Sequence, residues 1–106
     1  MNIGYAIKFC RQQRRLSLRE LAHLSGLSTS YLSLLERGKR KPTFETLEKV
    51  CNHLGIPISV LVFVGSNPDE LAGVSPEIHE KLSAATLKLL RAASMADDVR
   101  EQPSLL

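Results

Sequence analysis

Apolar residues recur every three or four positions through the first two thirds of this chain, in blocks of two to three turns. Ile3, Ile7 and Cys10 make a first stripe and predict a helix from Ile3 to about Arg14, with Arg14 and Arg15 where cations suit the helix dipole. Leu21 with Leu24, then Leu32 with Leu35, predict two shorter helices. Phe44, Leu47, Val50, Cys51 and Leu54 predict a fourth, and Val60 and Leu61 a short fifth. No alternating run of strand length occurs in this part, so the expected class is all-α.

Polar and special residues mark where these helices start and stop. Ser17 followed three residues later by Glu20 is a capping box and starts the second helix at Leu18. Ala22 stands where this helix crosses the next, since a methyl group permits close approach. Gly26 ends it, because the turn there needs positive φ. Ser28 then caps the third helix, Thr43 the fourth, and Gly55 and Pro57 separate the fourth from the fifth. Gly65-Ser66-Asn67-Pro68 reads as a boundary, which gives a five-helix domain over 1–64 and a linker or turn over 65–75. Two short helices joined by a tight turn are the grammar of a helix-turn-helix, in which one helix braces a DNA backbone and the next enters the major groove.

Beyond the linker, Ser75-Pro76-Glu77 is a strong helix start, with a cap, a proline at the first helical position and an acid in the first turn. Ile78, Leu82, Ala85, Leu89, Ala92 and Ala96 follow at alternating spacings of four and three, an amphipathic helix over 76–96. Leu87 and Leu90 are expected to widen that stripe. A homodimer through Ile78, Leu82, Ala85, Leu89 and Ala92 is the first expectation; packing on the chain's own domain, or against a second protein, are the alternatives. Residues 97–106 lose the periodicity and contain Pro103, so a flexible tail is expected there.

Charge separates the two parts. Residues 1–63 carry ten Lys/Arg against four Glu, and 64–106 carry four Lys/Arg against seven Asp/Glu, within a formal net charge of +3. A basic module on a mildly acidic extension assigns nucleic-acid contact to the first part. Cys10 and Cys51 have no metal-ligand or redox spacing and suit core positions in a reducing compartment. His23, His53 and His79 are scattered, so no metal and no cofactor are expected. No catalytic constellation or phosphate loop is present, and an enzyme is not expected. Without a membrane-length apolar run or a signal-like start, the expected location is cytoplasmic and no membrane partner is expected.

Residues 3–63 resemble the Cro/repressor-type helix-turn-helix domain, the XRE-like or lambda-repressor-like family. The resemblance rests on Ile3-Gly4, Ile7, Arg11, Leu18 to Ala22, Gly26-Leu27-Ser28, Leu32, Leu35-Glu36-Arg37-Gly38-Lys39, Pro42, Leu47, Leu54-Gly55 and Leu61. It implies a compact five-helix domain that binds double-stranded operator DNA, usually as a two-fold dimer, in repressors, restriction-modification controllers and antitoxins. Carried over, the reading helix spans 28–36, with Thr29, Ser30, Ser33 and Leu34 toward the bases. Tyr31 beside them is left as a phosphate donor, a base contact or a plain surface aromatic. The helix has no Arg, Asn or Gln for a bidentate base contact, so shape, water or flanking arginines are expected to add to specificity. Backbone contacts are expected from the helix N-termini at Leu18 and Thr29 and from Arg19, Arg37, Lys39, Arg40 and Lys41. The family also implies an inward ion pair between Arg11 and Glu36.

Overall fold

The computed structural model describes residues 1–70 and 74–99, and every regular element among them is helical. The first five helices are α1 (Ile3–Gln13), α2 (Leu18–Ser25), α3 (Thr29–Glu36), α4 (Phe44–Leu54) and α5 (Ile58–Gly65). A 3₁₀ turn at Pro68–Glu70 and a long α6 (Pro76–Val99) follow. Among the described residues no single helix is long and apolar enough to cross a membrane.

The ends of these helices follow from the capping chemistry. Ser17 Oγ accepts the Glu20 N–H at 3.0 Å, and the Glu20 carboxylate accepts the Ser17 N–H at 2.7 Å. The Ser17 backbone N–H, and then its hydroxyl, hold the Glu20 carboxyl below its usual range. Gly26 closes α2 at φ +71°, and the Leu27 N–H reaches back to the Ala22 carbonyl at 2.9 Å. Ser28 Oγ accepts the Tyr31 N–H at 3.0 Å and Thr43 Oγ1 accepts the Thr46 N–H at 3.1 Å, so α3 and α4 start where the sequence places them.

α1 lies against α3 and α5, while α2 packs on α3 and α4. The core they enclose is built from Ala6, Ile7 and Cys10 of α1, Leu21 and Ala22 of α2, Leu32 and Leu35 of α3, Val50, Cys51 and Leu54 of α4, Ile56, and Leu61 and Val64 of α5. Burial pushes the Cys10 thiol up to about 12 and the Cys51 thiol to about 11, as expected of small apolar fillers rather than reactive groups. Asn2 joins the two ends of this unit: its side chain caps α1 and its N–H meets the Gly65 carbonyl at 2.7 Å. Gly65, the first residue of the expected linker, is therefore the buried last residue of α5.

Two core expectations need correction. Leu24 is exposed, because the inward arc of α2 is centred on Leu21, Ala22 and Ser25, and Leu24 lies more than a quarter-turn from that centre. Phe44 shares the stripe of Leu47, Cys51 and Leu54 by angle, yet it is 65% exposed. It is the first residue of α4, past the edge of the packed layer.

α6 docks on α5 and α1, but not with the face the sequence pattern suggests. Ser83 and Leu87 are buried, and Leu90 packs against the core from the same side. Ile78, Leu82 and Leu89 are 50%, 46% and 70% exposed, with Ala85 and Ala92 also outward. At about 3.6 residues per turn these positions lie opposite Leu87. Leu87 and Leu90 thus belong to a second apolar face instead of widening the first. The small Ser83 lets the helix approach closely, and its hydroxyl is buried without a hydrogen-bond partner among the described residues. His79 Nε2 bonds the Phe63 carbonyl oxygen at 2.7 Å while the two rings stand 5.0 Å apart, which ties the start of α6 to α5. α6 runs to Val99, beyond the expected end at 96; the tail expected over 97–106 lies, from 100 onward, outside the described residues.

Candidate nucleic-acid interface

The exposed side of α3 and the first turn of α2 enclose a shallow groove of about 390 Å³, lined by Leu18, Thr29, Ser30, Ser33, Leu34 and Arg37. All four residues expected to read bases therefore share one concavity with two of those expected to meet the backbone. Ser28 makes this possible, because capping the helix at that position turns Thr29 and Ser30 outward in its first turn. Leu32 and Leu35 hold the opposite side of α3 in the core. The lining carries three hydroxyls and two leucines, groups that bond either a donor or an acceptor or pack on a thymine methyl.

The remaining basic positions are arranged differently. Arg37 folds its Nε onto the Ser33 carbonyl at 3.4 Å, at the C-terminal rim of the groove. Gly38, at φ +72°, turns the chain away from α3, and Lys39 stands exposed beyond it. Arg40 lies over the Tyr31 ring, 5.6 Å from its centroid. Arg40 and Lys41 also line a separate cleft with Met1, Asn2, Ile3, Gly4 and Pro42, beside the start of α1. They flank the reading groove without entering it. Tyr31 packs partly on the core, so its ring orients Arg40 as well as facing the surface. Arg19 is exposed on the first turn of α2.

Arg11 and Glu36 form the ion pair that the resemblance implies. Arg11 Nε and Nη2 donate to the two Glu36 carboxylate oxygens at 2.8 and 3.0 Å, a bidentate arrangement. Arg11 Nη1 also donates to the Leu16 carbonyl at 2.9 Å, so one guanidinium anchors the α1–α2 loop and the end of α3. Both side chains are largely shielded from water.

Two structural features of this face escaped the sequence reading. Gly4 of α1 lies directly against the last carbonyls of α3: a Cβ there would stand 2.5 Å from Leu35 O and 2.6 Å from Glu36 O. A glycine at the second position of a predicted helix hints at close contact, but no local pattern says with what. Arg14 does not end by serving its own helix dipole. Its Nε donates to the Leu54 carbonyl at 2.8 Å and Nη2 to the Gly55 carbonyl at 3.4 Å, capping α4 from outside. Among the described residues no group of three His, Cys, Asp or Glu is placed to hold a metal.

Residues 7–61, just over half of the chain, match the helix-turn-helix family model. An uncharacterized HTH-type transcriptional regulator of Mycobacterium bovis is 47% identical over 72 residues, covering 65% of this chain and 28% of that protein. The immunity repressor protein of Bacillus phage phi105 is 42% identical over 62 residues, covering 58% of this chain and 43% of that one. The chain thus spans less than half the length of either relative. Among solved structures, the SinR protein/SinI protein complex contains a chain similar at TM-score 0.56 and 28% identity, over 93% of this chain and 97% of that one.

Proposed function

This chain belongs to the helix-turn-helix family, and from that premise we propose that it is a sequence-specific regulator of transcription that binds double-stranded DNA as a homodimer and acts as a repressor. The observation that carries the reading is the uncovered groove of Leu18, Thr29, Ser30, Ser33, Leu34 and Arg37, with α3 as one wall. α3 enters the major groove; Thr29, Ser30, Ser33 and Leu34 read base edges. The N-terminal amides of α2 and α3, with Arg19, Tyr31, Arg37, Lys39, Arg40 and Lys41, hold phosphates on either side. A cytoplasmic site of action follows from this reading. The curated relatives named as a transcriptional regulator and an immunity repressor support the same role.

The test is a duplex titration at several salt concentrations, with variants. Log K is expected to fall steeply with log[salt], by about 0.9 for each phosphate neutralised. Leu34→Ala or Ser30→Ala should change preference at particular bases by ~1–3 kcal/mol. Lys39→Ala should weaken all sequences about equally and flatten the salt slope. A flat salt response, or a Lys39 variant that shifts preference while Leu34→Ala leaves it intact, would rule out this docking.

α6 supplies the dimer in this proposal. Its outward stripe from Ile78 to Ala92 is about 21 Å long and lies opposite the face used for docking on the domain. Pairing two such stripes would set two α3 helices about one DNA turn apart, ~34–36 Å. Light scattering on the full chain is expected to give a dimer, and on Leu82→Asp/Leu89→Asp a monomer. A monomeric full chain at tens of micromolar, roughly where weak dimers form, would transfer the stripe to the second reading. There α6 binds a different protein, as in an antitoxin or controller. The similar SinR protein/SinI protein structure is a complex of two proteins, which favours keeping that reading.

A further inference from the structure

Away from the reading groove, the docking of α6 creates a second concavity, about 210 Å³, lined by Gln12, Gln13, Arg14, Arg15, Leu87, Lys88 and Arg91. Its four charged residues are all cations, two from the end of α1 and two from α6. None of the four takes part in an ion pair among the described residues. Like charges brought together across a helix interface oppose that docking, so the arrangement calls for a counter-charge. Arg14 registers the conflict: burial, and then the nearby Arg91, lower its affinity for its proton.

The backbone at Arg15 is a second, independent sign. Arg15 has φ +58°, the only non-glycine residue with positive φ among those described. It occupies the left-handed position that closes α1, where helices favour glycine, and the Leu16 N–H reaches back to the Arg11 carbonyl at 3.1 Å. A strained position filled by a long cation, beside three others, fits a binding role better than a packing one. The site is also remote from the loop at 37–41. Arg14 holds the C-terminal end of α4, whose N-terminus follows that loop, and α4 is 11 residues or about 16 Å long.

We propose that the cleft between the end of α1 and α6 binds a phosphoryl group, with Arg15, Lys88 and Arg91 as its ligands, the Gln12 and Gln13 amides at its rim and Arg14 as the fixed wall. Guanidinium pairs match phosphate oxygens by geometry as well as charge. Two sources have this chemistry: a free phosphorylated effector, or the backbone of DNA running past the reading helix. Because α6 contributes two of the three ligands, an occupied cleft also clamps α6 to the domain.

Calorimetric titration of the full chain with inorganic pyrophosphate at low salt tests the site without DNA. Saturable binding is expected, weakened about tenfold or more in Lys88→Gln/Arg91→Gln and in Arg15→Gly. Arg15→Gly relieves the left-handed strain, so its thermal midpoint should hold or rise, and lost binding cannot then be ascribed to misfolding. In parallel, duplexes of one and three helical turns separate the sources. If DNA is the occupant, lengthening the duplex tightens wild-type binding but not that of the variants, whose affinity for the short duplex stays unchanged. Pyrophosphate binding that is absent or identical in all proteins, with no length effect, would overturn the proposal.

Discussion

Arg11→Ala is expected to cost ~3–5 kcal/mol of folding stability, against ~0–1 kcal/mol for an ordinary exposed pair. Arg11 holds both Glu36 carboxylate oxygens, and the two side chains are only 11% and 6% exposed. Glu36 is also the last residue of α3, where the helix dipole opposes a negative charge. Removing the guanidinium leaves that carboxylate shielded from water and strips the Leu16 carbonyl of its donor. A domain of this size has about 5–15 kcal/mol in total, so most of the cooperative transition should move to mild denaturant. Urea unfolding of Arg11→Ala, with Arg11→Met/Glu36→Leu beside it, measures the effect. The apolar double variant should recover most of the loss, since it leaves no charge stranded. A single-variant loss below ~1 kcal/mol would mean that water screens the pair.

Gly4→Ala is the second large effect, and its sign is the informative part. In an ordinary helix interior this change stabilises by ~1 kcal/mol through propensity. Here the new methyl would meet Leu35 O at 2.5 Å and Glu36 O at 2.6 Å, both backbone atoms that cannot rotate away. α1 would have to retreat from the end of α3 by several tenths of an ångström, stretching the Arg11–Glu36 pair as it goes. Overpacking of this kind costs ~1–3 kcal/mol, so a net loss is expected, coupled to that of Arg11→Ala in a double-mutant cycle. Since α3 is the proposed reading helix, duplex affinity should fall as well. A stabilised Gly4→Ala protein would contradict the close approach of α1 and α3.

The local devices were legible because each acts within about one turn of chain. Ser17 with Glu20, Ser28, Thr43, Gly26 and Gly55 end or begin helices through bonds to residues a few positions away, and all of them do so here. The concavity shared by Thr29, Ser30, Ser33 and Leu34 was equally readable, since a cap at Ser28 and a core stripe at Leu32 and Leu35 leave those positions outward. The partners of Arg40 and Lys41 were not. Both follow Gly38 in a turn, and which surface they meet depends on where the start of α1 comes to rest.

α6 shows most clearly where periodicity stops. Its sequence offers two apolar faces, Ile78–Leu82–Ala85–Leu89–Ala92 and Leu87–Leu90, and hydrophobicity favours the first. The domain accepts the second, because the small Ser83 and the His79 bond to Phe63 let that side fit against α5 and α1. Shape at the contact decided which face docks on the domain, and the larger apolar stripe stays outward.

By itself, the sequence determined the capped ends of α2, α3 and α4, the all-α class and the pair of short helices that presents a polar face, since these depend on spacing, capping and turn chemistry within a few residues. Tertiary structure alone decided that Gly4 must be small, that Arg14 caps α4, which face of α6 is spent on the domain, and that four cations meet in one cleft. Those outcomes join residues far apart in sequence, as with the Arg14 guanidinium and the carbonyls of Leu54, 40 positions on, and Leu87, 73 positions on, and only the packed arrangement of helices brings them within reach.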